Sequence, residues 1–143
     1  MKPFKLQSVL DYRQLQKNKA QQQLSEALRK EASLLLQLDR EQHELKNLHE
    51  ELRKIKAIGV TVHELELYEN RCDHKMECLT LLASQLEKQQ REIMARRQAL
   101  SLAAQEEKMM EKLKERQIAE ERQLLQRRER TEADEIAIRF HGR

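Results

Sequence analysis

The chain has 143 residues and few of the residue types that build turns, tight cores or covalent frameworks. It contains two glycines, one proline, two phenylalanines, two tyrosines and no tryptophan. A compact α/β domain needs many turns, and turns need Gly, Pro and Asn. Their scarcity, with 37% charged residues, excludes that class and points to long helix or coiled coil. No run of about 18 apolar residues exists, so no transmembrane span is expected. Met1–Asp11 lacks the long apolar core of a cleavable signal peptide. Cys72 and Cys78 lie about 600° apart on one expected helix, point to different faces and cannot pair within it. Free thiols fit a reducing compartment, so a cytoplasmic protein is expected. Net charge is +3, with 28 basic and 25 acidic residues interspersed. That pattern describes a solvated helical surface rather than the concentrated basic face of a nucleic-acid binder.

The apolar residues that are present fall into two heptad-spaced seams. One holds Leu10, Leu24, Leu38, Leu45 and Leu52, alternating with Ala20, Ala27, Leu34, Leu48 and Ile55. The other holds Leu65, Cys72, Leu79, Leu86, Ile93 and Leu100, alternating with Tyr68, Leu82, Ala103 and Met110. Folding about position 60 sets Ile55 against Leu65, Leu52 against Tyr68, Leu38 against Leu82 and Leu34 against Leu86. Small meets large at Ala27–Ile93 and Ala20–Leu100. Glu31 meets Gln89, and Arg13 meets Glu107. The fold class is therefore all-α: two long helices forming an intramolecular antiparallel coiled-coil hairpin.

Local signals place the turn where the seams require it. Gly59 can adopt the left-handed conformation that ends a helix. Thr61-Val62-His63-Glu64 has the spacing of a capping box, with Val60 and Leu65 placed as a hydrophobic staple. Pro3 or Phe4 is expected to open the first helix. The chain reads as a single domain, with helix one over about 4–57, the turn at about 58–61 and helix two over about 62–138. The helices would span roughly 80 and 115 Å, leaving the second much longer. In this register Met1 lies opposite about position 119. Beyond Leu113 the apolar stripe thins to Ile118, Leu124, Leu125, Ile136 and Ile138.

No catalytic constellation is visible: there is no Gly-rich phosphate loop, no CxxC and no nucleophile elbow. A two-helix hairpin also offers no pocket in which to shift a pKa, so no enzyme activity and no cofactor are expected. His74 and Cys78 are spaced i, i+4, but two potential ligands without a third make no metal site. Leu67, His74, Cys78 and Leu81 form a stripe off the main seam on helix two. It either meets a partner or caps the bend beside Ile58 and Val60. Lys112, Lys114, Arg116, Arg122, Arg127, Arg128 and Arg130 make the tail basic, partly offset by Glu115, Glu120, Glu121 and Glu129. Ordinary i, i+4 ion pairing accounts for some of this. A lone helix without a seam gains little from tertiary packing, so the tail is expected to dock elsewhere.

The opening Phe4-Lys5-Leu6-Gln7-Ser8-Val9-Leu10-Asp11-Tyr12-Arg13, the capped hairpin followed by Leu67-Tyr68, the stretch Glu111-Lys112-Leu113-Lys114-Glu115-Arg116 and the close Ala133-Asp134-Glu135-Ile136-Ala137 together form a pattern. It resembles the FliJ family, the small coiled-coil component of the bacterial flagellar export apparatus. The resemblance spans nearly the whole length. It implies a non-enzymatic stalk, similar to the two-helix coiled coil of the central subunit in rotary ATP synthases. Such a stalk associates with the hexameric export ATPase, the cytoplasmic domain of the export gate and export chaperones. It would act in the cytoplasm, peripheral to the inner membrane at the flagellar base, in type III protein transport, flagellum biogenesis and motility. Leu6, Leu10, Arg13, Lys112, Arg116 and Arg122 are the expected ATPase-binding residues. Leu67, His74, Cys78 and Leu81 are those expected to meet the gate. The polar seam residues Arg13, Lys17, Glu31 and Glu41 favour a monomer. Injectisome stalk proteins share the architecture, and a generic coiled-coil adaptor is the other alternative.

Overall fold

A computed structural model describes residues 3–142. It consists of α1, Gln7–Ile58, and α2, Val62–His141, which form a hairpin with the second helix longer. The expected place of Met1 lies outside the described residues.

Both helix ends near the turn follow their local chemistry. The Gly59 N–H donates to Ile55 O at 2.9 Å, and Gly59 takes φ +117°. A side chain there would be strained, whereas glycine is not. The Glu64 N–H donates to Thr61 Oγ1 at 3.2 Å, which satisfies one of the free donors at the start of α2. The reciprocal arm of the capping box is not formed among the described residues. Val60 and Leu65 are both half-buried, as a staple requires.

The outer ends differ from the expectation. Pro3 is not the first helical residue. Phe4–Gln7 form a turn, with the Gln7 N–H donating to Phe4 O at 3.1 Å, and the i→i−4 ladder starts when Leu10 N–H reaches Leu6 O. At the other end α2 continues to His141, and Gly142 N–H closes on Ile138 O at 2.8 Å.

The chain divides into two compact units. A turn unit comprises Gln21–Gln98, and a terminal unit comprises the segments up to Ala20 and from Ala99 onward. In the turn unit, Ala27, Cys72 and Ile93 are buried, and the other expected seam positions are buried or half-buried. Gln89 Nε2 donates to Ala27 O at 2.9 Å, and Arg96 Nη1 to Gln23 Oε1 at 3.0 Å. Lys75 Nζ donates to Glu41 Oε2 at 2.7 Å and also to Glu44. Each pair is centred on the turn, which fixes an antiparallel register. Gln89 was expected to meet Glu31. It turns instead to the Ala27 carbonyl, because the small Ala27 side chain leaves that backbone oxygen within reach.

In the terminal unit Leu10 and Glu107 are buried. Charges meet across the seam as expected, but with shifted partners. Arg13 Nη1 bonds Glu106 Oε2 at 2.6 Å, while Glu107 lies beside Lys17 Nζ at 3.3 Å. The long arginine reaches out of the seam to the neighbouring flank position, which leaves Glu107 to the lysine one turn along. From Arg122 to Gly142 every residue is exposed.

Candidate interaction surfaces

The stripe on α2 lies in the turn unit. Leu67 is 52% and Leu81 62% exposed; His74 is exposed and Cys78 half-buried. Cys78 Sγ lies 3.9 Å from His74 Nε2. The stripe opens onto two shallow grooves between the helices. Leu67 and His74 line one with Leu48, Glu51 and Arg71, and Cys78 and Leu81 line the other with Gln37 and Arg40. Their far walls come from α1 well before its end, and Ile58 is 88% exposed. The stripe therefore does not cap the bend.

A charge cluster links these grooves, with Glu44 and Lys75 lining the first and Glu41 the second. Hydrogen bonds from Lys75 to Glu41 and Glu44 push the lysine pKa above its ordinary value, outweighing desolvation. The hydrogen bond and charge of Lys75 hold the Glu44 carboxyl below the usual range, with a smaller contribution from Arg40. Lys75 is thereby committed within the chain.

The residues expected to meet an ATPase gather in the terminal unit in unequal states. Leu6, Lys112, Arg116 and Arg122 are exposed. Leu6 and Arg116 line one groove with Phe4, Lys5, Leu113 and Glu120. Leu10 is only 3% exposed. It fills the seam and supports this end without offering itself to a partner. Arg13 is half-buried and engaged with Glu106. Three exposed apolar residues here, Tyr12, Leu102 and Met109, were missed by the seam-based reading. Their signal is a shared heptad position: each stands two residues after a seam residue, as Leu67 and Leu81 do.

Among the described residues no group of three or more His, Cys, Asp or Glu is placed to hold a metal ion. No helix among them is long and apolar enough to cross a membrane.

These features define a long two-helix coiled-coil protein whose chemistry lies in flanking grooves and exposed helix faces. The family model described as flagellar FliJ protein matches residues 1–143, and the chain belongs to that family. It is accordingly a component of the flagellar protein-export apparatus. No curated protein and no solved structure matches it significantly.

Proposed function

We propose that this chain is a non-enzymatic stalk that couples the hexameric export ATPase to the export gate and assists export chaperones. It would act as a monomer in the cytoplasm, at the inner-membrane face of the flagellar base. The observation that carries this reading is the exposed continuation of α2: a helix without a packed face from Arg122 to Gly142. Most helical stability in proteins comes from tertiary packing, which this stretch lacks. A surrounding ring of subunits supplies the missing contacts and offsets the ordering cost. Leu6, Lys112, Arg116 and Arg122 then meet the ring, with Leu10 and Arg13 holding the adjoining seam. Leu67, His74, Cys78 and Leu81 meet the gate through the two grooves of the turn unit.

The test is deletion of residues 119–143, followed by ATP hydrolysis and hexamer formation with the cognate ATPase. The truncated chain should keep the helicity of its paired segments and fail to stimulate hydrolysis. Full stimulation by it would refute the assignment of the tail. For the gate, Leu67→Ser with Leu81→Ser should leave melting nearly unchanged and weaken gate binding. Steep loss of melting with unchanged binding per folded molecule would make the stripe structural.

A further inference from the structure

The terminal unit carries an apolar flank whose centre, Tyr12, Leu102 and Met109, the stalk reading does not use. On α2, Leu102 and Met109 are one heptad apart, and Leu113 follows one turn later. They are 60%, 65% and 43% exposed. On α1, Val9 is half-buried, and Tyr12, one turn on, is 56% exposed. Gln16, one heptad after Val9, is also half-buried and ends the apolar stretch on this helix. The Arg13–Glu106 ion pair fixes the antiparallel register of the two segments. Lys5 stands one heptad before Tyr12, and Arg116 one heptad after Met109. Both line a single groove with Leu6 and Leu113, so these heptad positions of α1 and α2 open onto one flank. The Arg13 guanidinium sits 5.8 Å from the centroid of the Tyr12 ring and helps hold that ring in place.

We infer that this flank docks an amphipathic helix of a partner protein whose apolar stripe is bordered by carboxylates. Two observations select that occupant. First, the half-buried Val9 and Gln16 lie lower than the exposed Tyr12 on α1 and Leu102 and Met109 on α2. The flank is therefore a shallow trough between two rows at heptad spacing, with Leu113, Met109 and Leu102 along α2 and Glu106, neutralised by Arg13, between the last two. A helix fills such a trough with residues repeating at i, i+3, i+4 and i+7. Second, the rim is cationic. Lys5 and Lys19 border it on α1, and Lys112 and Arg116 on α2, all exposed. The nearby carboxylates have partners or cations beside them. Glu106 is held by Arg13, Glu121 accepts from Gln117 at 3.3 Å, and Glu120 lies in the groove with Arg116. Cations around an apolar centre favour an acidic partner and steer its approach. A second copy of this chain would bring an identical cationic rim against the first. Nucleic acid would use the cations but has no use for the leucine–methionine centre. An anionic membrane favours a continuous protruding apolar face rather than a trough.

The experiment uses the full chain and two synthetic helical peptides with the same heptad leucines, one bordered by glutamate and the other by lysine. Binding is read by fluorescence anisotropy at low and high salt. The glutamate peptide should bind and weaken as salt rises. Leu102→Ser with Met109→Ser should lower its affinity about tenfold, by removing the central anchors. Far-UV circular dichroism of that variant should match the parent, because both residues are exposed. Leu67→Ser with Leu81→Ser should leave the affinity unchanged. Lys112 and Arg116 of the rim are also assigned to the ATPase ring, but Leu102 and Met109 belong to neither the ATPase nor the gate surface, so the Leu102/Met109 variant tests this flank separately from those assignments. Equal binding of the lysine peptide, or unchanged affinity in the Leu102/Met109 variant, would overturn the inference. So would self-association of the free chain that this variant abolishes, or binding to phosphatidylglycerol vesicles that it abolishes.

Discussion

Replacing Gln89 with leucine should make the chain more stable and less particular about its partner. Gln89 is 5% exposed, and its amide donates to the Ala27 carbonyl at 2.9 Å. That carbonyl lies within α1 and also serves the helix's own hydrogen-bond ladder, so losing the Gln89 bond does not orphan it. The lost bond is worth about 0.5–1.5 kcal/mol net. Burying a leucine side chain contributes about 1.5–3 kcal/mol. The balance favours Gln89→Leu by about 1 kcal/mol, which is about 2–4 °C in Tm for a chain of this size. The expected loss is in specificity. A polar group at a seam position penalises registers and assemblies in which it finds no partner. With leucine there, α2 presents an apolar seam from Leu79 to Ile93 that a second chain can match. Thermal unfolding followed by circular dichroism gives the first quantity. Sedimentation across a concentration series gives the second, with Gln89→Ala as a control that loses both packing and the hydrogen bond. A fall in Tm of several degrees for Gln89→Leu would show that the bond outweighs apolar burial. A rise in Tm with no new association would place register control elsewhere in the seam.

Two further substitutions test the turn and the charge cluster. Gly59→Ala meets no atom within 4 Å, so its cost is backbone strain alone at φ +117°. It should destabilise by about 1 kcal/mol in urea unfolding, and an unchanged midpoint would refute the role of the positive φ. The Glu44 carboxyl is held below its ordinary pKa, chiefly by Lys75. Its contribution is therefore present above the ordinary carboxylate pKa and lost as pH falls through the depressed value. The raised Lys75 pKa keeps the lysine charged throughout this range. Glu44→Gln should melt below the parent at neutral pH and converge with it in acid. A gap that persists in acid would assign the difference to packing instead.

The long-range register was legible in the sequence because heptad spacing is a direct image of which face each helix buries. All the expected seam positions, from Leu10 to Ile55 and from Leu65 to Met110, are buried or half-buried. The Gly59 and Thr61 signals were legible because their chemistry is local. Polar partners were not. The choice of Glu106 over Glu107 by Arg13, and of Ala27 O over Glu31 by Gln89, depends on side-chain reach and neighbour size. Heptad position does not encode these. The start of α1 was misplaced because proline favours the first helical turn but does not create it. The Leu67–Leu81 stripe was found because it departs from the seam within one short stretch. Tyr12, Leu102 and Met109 escaped notice because the flank they form draws residues from both ends of the chain.

The distribution of burial leaves much of the apolar surface of this protein open to contact. No large side chain among the described residues is fully buried; leucines remain exposed on both helices, and methionines on α2. Two helices can cover only one face of each other, so an apolar residue outside the seam stays in water until a third element arrives. Gln89, Glu107 and Lys17 in the seam sacrifice apolar burial there. Exposed apolar groups beside a moderately polar seam shift the balance of association outward. The same logic separates the two units. The turn unit offers its grooves beside charges already paired internally at Lys75. The terminal unit offers apolar residues beside the exposed cations Lys5, Lys19, Lys112 and Arg116. The first grooves also carry the exposed Arg40, Glu51 and Arg71, charges of both signs, whereas these exposed charges at the second are cations. One chain can thus hold different partners at different places without an enclosed site at either.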